Sequence, residues 1–537
     1  MKLDETKRQK IVHPIPPLYD KDSKILILGS FPSVKSREEA FFYGHPQNRF
    51  WKLLAGIFSE NKPETIEEKR EFLHKNHVAV WDVIHSCDII GSSDSSIRNV
   101  VPNDLSEILE NADIKQIFCN GAKSYEYYRK YQEKETGRKA VKLPSTSPAN
   151  AAFSVEKLTR AWKEICVPLQ VAPTGIGEVL LDWYDYNARI LPWRSEPTPY
   201  HVWISEIMLQ QTRVEAVKKY YDRWMEVLPD VKALSEVPDE ELMKLWEGLG
   251  YYNRARNLKV AALQVMQEFD GKIPADYSKL LSLKGVGEYT AGAIASIAFG
   301  IPEPAVDGNA LRIFSRILAE DGEINKASVK KKITQEVQRV LPKERPGDFN
   351  QALMDLGSSI CIPNGEPFCE NCPWEAVCQA HKYGRETDFP VKAKKKKRKI
   401  EKKAVFLIEV SDKIILHKRP EKGLLSGLWE LPNVDGELSA KELSEQMKKW
   451  GIGDYMIEPL GEGKHIFSHV EWQMRGYRLQ MRDISEKLLE KEEWIAVSRE
   501  DLEEKYAIPS AYECYRKQIY RGEIYFIKAH SLKSRKT

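Results

Sequence analysis

The sequence predicts a multidomain protein in three parts: an N-terminal α/β three-layer domain, a central all-α domain ending in a cysteine-rich loop, and a C-terminal α+β domain. Three observations predict this. At 537 residues the chain is too long for one core. Its apolar pattern changes twice, from short buried runs to helical periodicity and then to strand-like runs. Four of its eight cysteines, Cys361, Cys369, Cys372 and Cys378, crowd into 18 residues.

The first part, 1–168, opens with the buried-strand run Ile25–Leu28 and the turn Gly29-Ser30-Phe31-Pro32. Similar runs at Val78–Ile84 and Gln116–Cys119, with helix-like stretches between them, predict the α/β layering. The second part, 169–390, reads as helix throughout. Ile207, Val214, Val217, Tyr221, Trp224 and Leu228 recur at helical spacing. Further helical stretches follow at Glu240–Trp246, Ala255–Phe269 and Tyr289–Phe299. The Gly-rich turn Lys284-Gly285-Val286-Gly287 separates the last two. A basic linker, 391–403, precedes the third part, 404–530. There Ala404–Val410, Lys413–His417 and His465–Met481 predict strands.

Composition is that of a soluble globular chain, with 42% hydrophobic and 30% charged residues. A net charge of +3 is too small to establish a polyanionic partner. The start, MKLDETKRQK, lacks the apolar run of a secretory signal, and no stretch approaches the length of a membrane span. The expectation is a cytoplasmic protein. Cys87, Cys119, Cys166 and Cys514 stand singly, as small side chains do in a reducing compartment.

The spacing Cys361-x7-Cys369-x2-Cys372-x5-Cys378 suits a metal site. One tight pair with two outlying ligands favours an iron–sulfur cluster over zinc, without deciding it. The sequence Leu283–Gly287 before a helix is a helix–hairpin–helix signature, whose glycines let backbone N–H groups approach a DNA phosphate. With the acidic turn Val306-Asp307-Gly308-Asn309 and the four cysteines, this series resembles the endonuclease III superfamily. Within it, Leu191–Arg194, Ser205–Thr212, Gly248–Tyr252 and Ala305–Asn309 resemble adenine DNA glycosylases of the MutY type. One departure is visible: the family usually has six residues between the first two cysteines, and this chain has seven.

The resemblance implies a [4Fe–4S] cluster on the four cysteines and a monomer that acts on double-stranded DNA containing mispairs or damaged bases. It implies base flipping, with Gln211 and Tyr251 filling the vacated space, Gly285 and Gly287 on a phosphate, and Arg194, Asn309 and Gln351 near the extruded adenine. Glu206, in an apolar stretch that should keep it protonated, would protonate adenine N7. Asp307, at a helix start, should stay ionised and stabilise the sugar cation. Tyr289 stands where strand-cutting relatives carry an amine, so no Schiff base can form. Read without the resemblance, Glu206 is an ion-pair partner and Asp307 a helix cap.

The third part, with Leu424–Pro432, resembles the Nudix fold. Lys448 and Lys449 stand where a Nudix hydrolase needs metal-binding carboxylates, which excludes nucleotide hydrolysis. The resemblance gives Phe467-Ser468-His469 the reading of 8-oxoguanine, with Ser468 as its hydrogen-bonding partner. In the first part, Phe42–Trp51 and Ser145–Asn150 resemble the uracil-DNA glycosylase superfamily, nearest its hypoxanthine (deoxyinosine) branch. Phe31 replaces the polar residue that uracil-excising relatives use, so Asn48 takes the water-orienting role. A DNA-binding module without catalysis is the alternative. The whole chain then reads as an adenine glycosylase, nucleoid-associated, fused to a second glycosylase for deaminated bases.

Overall fold

The structure, a computed structural model, describes residues 8–58, 60–172, 175–393 and 398–519. Residues 394–397 of the basic linker, and 520–530 of the last segment, lie outside them. Contacts divide the chain into two compact units: Met1–Arg189 with Gly300–Ala393, and Ile190–Phe299 with Lys394–Thr537. The helical middle is therefore shared between units.

In the first unit, Val78–Asp82, Ile25–Gly29, Gln116–Asn120 and Ala140–Leu143 form a four-stranded parallel sheet in that spatial order. Its central strand Ile25–Gly29 is buried at every position, as a parallel sheet covered on both faces requires. The apolar run Val78–Ile84 is not one strand. It breaks at Val83, and Ile84–Ile89 joins an antiparallel sheet with Gln9–Val12 and Arg98–Pro102. Ala140–Leu143, only four residues long and interrupted by Lys142, carries too little pattern to be read from sequence.

The same unit contains the helices Ile176–Asn187, Gly308–Leu318, Ala327–Val340 and Pro346–Ser359, packed around Leu180, Phe314, Ile333, Phe349 and Trp374. Polar contacts join them to the first segment. Glu336 accepts from the Ala172 N–H at 2.7 Å, and Lys332 pairs with Glu320 at 2.6 Å while reaching Gln170.

In the second unit the periodicity from Ile207 to Leu228 belongs to two helices, Pro199–Leu209 and Val214–Val227. Gln211, at φ +59°, breaks the chain between them. A short helix Tyr277–Ser282 precedes the glycine turn, and Glu288–Ala293 continues as a π-helical turn over Ile294–Ala298.

The β-rich part of this unit has the strand order Trp429–Glu430, Lys413–Lys418, Lys399–Val410, Val470–Met481, Met456–Ile466, with a parallel central pair. Lys399–Lys403, expected as linker, already belongs to the strand Lys399–Val410. Lys403 is buried, paired with Asp435 at 2.7 Å and lying over Trp472. The predicted strand His465–Met481 is a hairpin that turns at residues 467–469.

One buried ion pair pins this sheet. Glu430, 2% exposed, accepts from Arg419 at 2.6 Å, from the Tyr512 hydroxyl and from the His417 ring. Burial alone would push the Glu430 carboxyl up, but His417, Arg419 and Tyr512 outweigh it and hold it below the usual range. A depressed folded pKa gives stability that is full above the unfolded value of about 4.3 and is lost as pH falls through the folded one. Acid titration of thermal unfolding should therefore show this part destabilised below about pH 4.3, and Glu430→Gln should flatten that dependence. Glu430→Gln should also cost about 2 kcal/mol at neutral pH, because the half-buried Arg419 loses its counter-charge.

Candidate functional site

Glu206 lies on the helix Pro199–Leu209, which Thr198 caps and Pro199 starts. Eight of its eleven residues are buried, Glu206 among them at 4% exposure. A carboxyl group so placed needs a polar partner. The Tyr289 hydroxyl, from the helix Glu288–Ala293, donates to Glu206 Oε2. The structure thus brings these two expected residues together, and both lie in the second unit.

Gln211 and Tyr251 are exposed, and both adopt the left-handed backbone conformation, at φ +59° and +46°. For non-glycine residues that costs roughly 1–2 kcal/mol each. One residue accounts for both turns. The Arg254 guanidinium donates to the carbonyls of Ile207, Met208 and Gln210 on one side, and of Leu249 and Gly250 on the other, at 2.7–3.1 Å. Burial lowers its pKa to about 10. The sequence reading missed Arg254. Its signal is an arginine in the first turn of the helix Asn253–Glu268, where the helix dipole disfavours a cation.

The expected phosphate turn is open to solvent. Gly285 has φ +79°, and a Cβ there would stand 2.7 Å from Asn257 Cβ; Gly287 caps the next helix. Arg194 sits half-buried on the short helix Pro192–Ser195. In the β-rich part Phe467, Ser468 and His469 form the hairpin tip, closed by the Phe467 N–H to the Val470 carbonyl at 2.8 Å. Phe467 packs edge-on against Trp472, while Ser468 and His469 are exposed. Lys448 and Lys449 lie in the last turn of the helix Ala440–Trp450.

In the first unit Asp307 caps the helix Gly308–Leu318, accepting at 2.8 Å from both the Asn309 and Ala310 N–H groups. Burial pushes its carboxyl above the usual aspartate range, against those donors, the Asn309 side-chain amide and the charge of Arg312. The expected ionisation therefore depends on the donors. Asn309 donates to Asp307 Oδ2 at 2.7 Å and accepts from Arg312 at 2.9 Å. Gln351 lies half-buried on the helix Pro346–Ser359. Glu206 and Asp307 fall in different units.

Arg312 also donates to the Cys361 carbonyl at 2.8 Å, and Arg316 to Cys361 Sγ at 3.1 Å. Both arginines went unread, although their i, i+4 spacing in an amphipathic helix was visible. The Cys369, Cys372 and Cys378 thiols are pushed up to about 11, 12 and 12, first by burial, then at Cys369 by Glu386 and Cys361 and at Cys372 and Cys378 by the neighbouring cysteines. Arg316 at Cys361 Sγ, with Arg312 on the Cys361 carbonyl, offsets negative charge and so fits a metal centre held by thiolates, while the Cys369 thiol also lies within 4.8 Å of ligand atoms of His381 and Glu386. The seventh residue of the first gap is taken up in a loop with Gly365 at φ +80°, closed by the Phe368 N–H to the Ile360 carbonyl at 3.1 Å.

In the first segment the Asn48 side-chain oxygen accepts from the Phe50 N–H at 3.0 Å, at the start of the helix Phe50–Phe58. Its neighbour Arg49 holds the second expected motif through the carbonyls of Ser147, Asn150 and Phe153 at 2.5–3.1 Å. Asn120 and Thr146 exchange two further hydrogen bonds. The two motifs thus meet at the carboxyl edge of the parallel sheet, where open α/β folds bind ligands.

Comparison with known proteins finds three family patterns. Residues 204–341 match the HhH-GPD superfamily of base excision DNA repair proteins, 404–518 the NUDIX domain, and 16–166 the uracil DNA glycosylase superfamily. The adenine DNA glycosylase of Mus musculus is 34% identical over 412 residues, spanning 64% of this chain and 80% of that protein. The adenine DNA glycosylase of Schizosaccharomyces pombe is 34% identical over 400 residues, spanning 61% and 85%. A solved thermostable thymine-DNA glycosylase aligns at 31% identity over 38% of this chain and 95% of its own, with a TM-score of 0.36.

Arg254→Lys keeps the charge and loses the planar fork. It should destabilise the second unit by about 2–3 kcal/mol in chemical denaturation. Amide hydrogen exchange should quicken at Gln211 and Tyr251 and stay unchanged around Asp307.

Proposed function

The chain belongs to the adenine DNA glycosylases of base excision repair, and from that premise we propose that it removes adenine opposite 8-oxoguanine or guanine by hydrolysis, without cutting the strand. The observation that carries this reading is the hydrogen bond from Tyr289 to the buried Glu206. A phenol orients the carboxyl group for donation to adenine N7 and cannot form a Schiff base. Such acid catalysis is worth roughly 10²–10⁴-fold.

Asp307, supplied with donors by its own helix and Asn309, stabilises the positive sugar as the bond breaks. Arg194, Asn309 and Gln351 hydrogen-bond the extruded adenine. Gln211 and Tyr251, held by Arg254, fill the space it leaves, and Gly285 and Gly287 take a phosphate through backbone N–H groups. Phe467, Ser468 and His469 contact the oxidised guanine from the hairpin tip. Cys361, Cys369, Cys372 and Cys378 hold a [4Fe–4S] cluster, which supplies a rigid thiolate anchor for the loop that carries them.

The first segment acts as a second glycosylase, on hypoxanthine and related deaminated bases, with Asn48 orienting water. Its support is the meeting of its two motifs at the sheet edge under Arg49. One duplex panel tests both sites: A:8-oxoguanine, A:G, hypoxanthine:T and U:G, developed with and without alkali. Asp307→Asn should abolish adenine release alone, and Asn48→Ala deaminated-base release alone. Strand scission without alkali at the rate of base release, or loss of both activities in either variant, would contradict the proposal.

A further inference from the structure

We infer that Asp82 is the carboxylate that takes the proton from the attacking water in the first segment's site, an assignment that rests on reading that segment as a deaminated-base glycosylase. Asn48 cannot do this. An amide is not basic enough to take a proton from water, and its oxygen already accepts from the Phe50 N–H. Asp82 ends the strand Val78–Asp82 and pairs in register with Gly29, the end of the neighbouring parallel strand. Both lie at the carboxyl edge of the sheet, beside Asn120.

The Asp82 side chain reaches across Gly29. Its Oδ1 occupies the hollow where a Gly29 Cβ would stand, 2.1 Å from that point, with the Tyr43 hydroxyl 3.7 Å from it. Only glycine leaves that room. Oδ2 is fixed separately: His13 Nε2 lies 2.9 Å away, and His13 Nδ1 accepts from the Ile15 N–H at 3.2 Å. That second bond places the ring proton on Nε2, facing Asp82. The pair is buried, with side chains 1% and 8% exposed. One carboxylate oxygen is therefore oriented by histidine, and the other lies over Gly29 at the carboxyl end of the two strands.

Tyr43 itself stacks on Phe50, with ring centroids 3.7 Å apart, which ties this hollow to the turn bearing Asn48. Asp94 is the other nearby acid, held by the Ser30 hydroxyl at 2.9 Å on the exposed side. In the step assigned to Asp82, the water oxygen bonds to C1′ of the sugar while its proton passes to Asp82 Oδ1. The bond from C1′ to the base nitrogen breaks, and its electron pair leaves with the base. Solvent then carries the proton from Asp82 to the base anion.

The test uses the full chain under single-turnover conditions, on hypoxanthine:T, U:G and A:8-oxoguanine duplexes. Asp82→Asn should lose about 100-fold or more in deaminated-base release, the scale of a general base. Duplex affinity and adenine release should stay within a factor of about three, and Asp94→Asn should leave both activities at that same level. Gly29→Ala, which displaces the carboxylate without removing it, should reproduce the loss and decides the matter if Asp82→Asn unfolds. Full activity in Asp82→Asn or Gly29→Ala, or a loss carried by Asp94→Asn, overturns the assignment alone. A wild-type chain that releases no deaminated base overturns the underlying reading and the assignment with it.

Discussion

A carboxyl group inside an apolar helix must be either neutral or well supplied with donors, and the second unit is organised around that constraint. Glu206 sits among Val202, Trp203, Ile204, Ile207 and Met208, all buried. Tyr289 meets it from the helix Glu288–Ala293, which Gly287 caps, so the exposed glycine turn and the hydroxyl on the buried acid lie two residues apart in the chain. The proposed chemistry needs this coupling. A group that must hand a proton to a base has to be fixed relative to the turn that fixes the DNA.

Arginine does comparable work in three other places. Arg49 collects the carbonyls of the loop carrying Ser145–Asn150, Arg254 those of the turns carrying Gln211 and Tyr251, and Arg312 with Arg316 those of Gly357, Cys361 and Ile362. A loop cannot satisfy its own carbonyls, and the planar five-donor guanidinium can satisfy several from one side chain. Strained or irregular backbone is thereby held by a charge that never touches substrate in the proposed mechanism. Lysine at any of these positions would supply the charge without the fork.

Much of this was legible in the sequence. The layered first part, the helical middle and the mixed β-rich end follow from apolar periodicity, and they appear in the structure. The helix break at Gln211 did not, because the apolar spacing from Ile207 to Leu228 runs through it unchanged. Arg254, 43 positions away in sequence from Gln211, holds the carbonyls before the left-handed turn. The split of Val78–Ile84 between two sheets was hidden for a similar reason, since both strands are apolar and one residue apart. Asp307 was visible as a helix cap, while its burial depends on distant chain. Asp82 looked like an ordinary strand end, and its reach across Gly29 is a matter of register that no local pattern encodes.

The most direct measurement of the central claim is single-turnover adenine release from an A:8-oxoguanine duplex by Glu206→Gln, with duplex affinity measured in parallel. Glutamine keeps the shape and can accept from Tyr289, but it cannot donate a proton to N7 as an acid. The expected result is a loss of about 100-fold or more at unchanged affinity, the scale of general acid catalysis. Release at the wild-type rate would contradict the assignment of Glu206 and, with it, the chemistry proposed for the second unit.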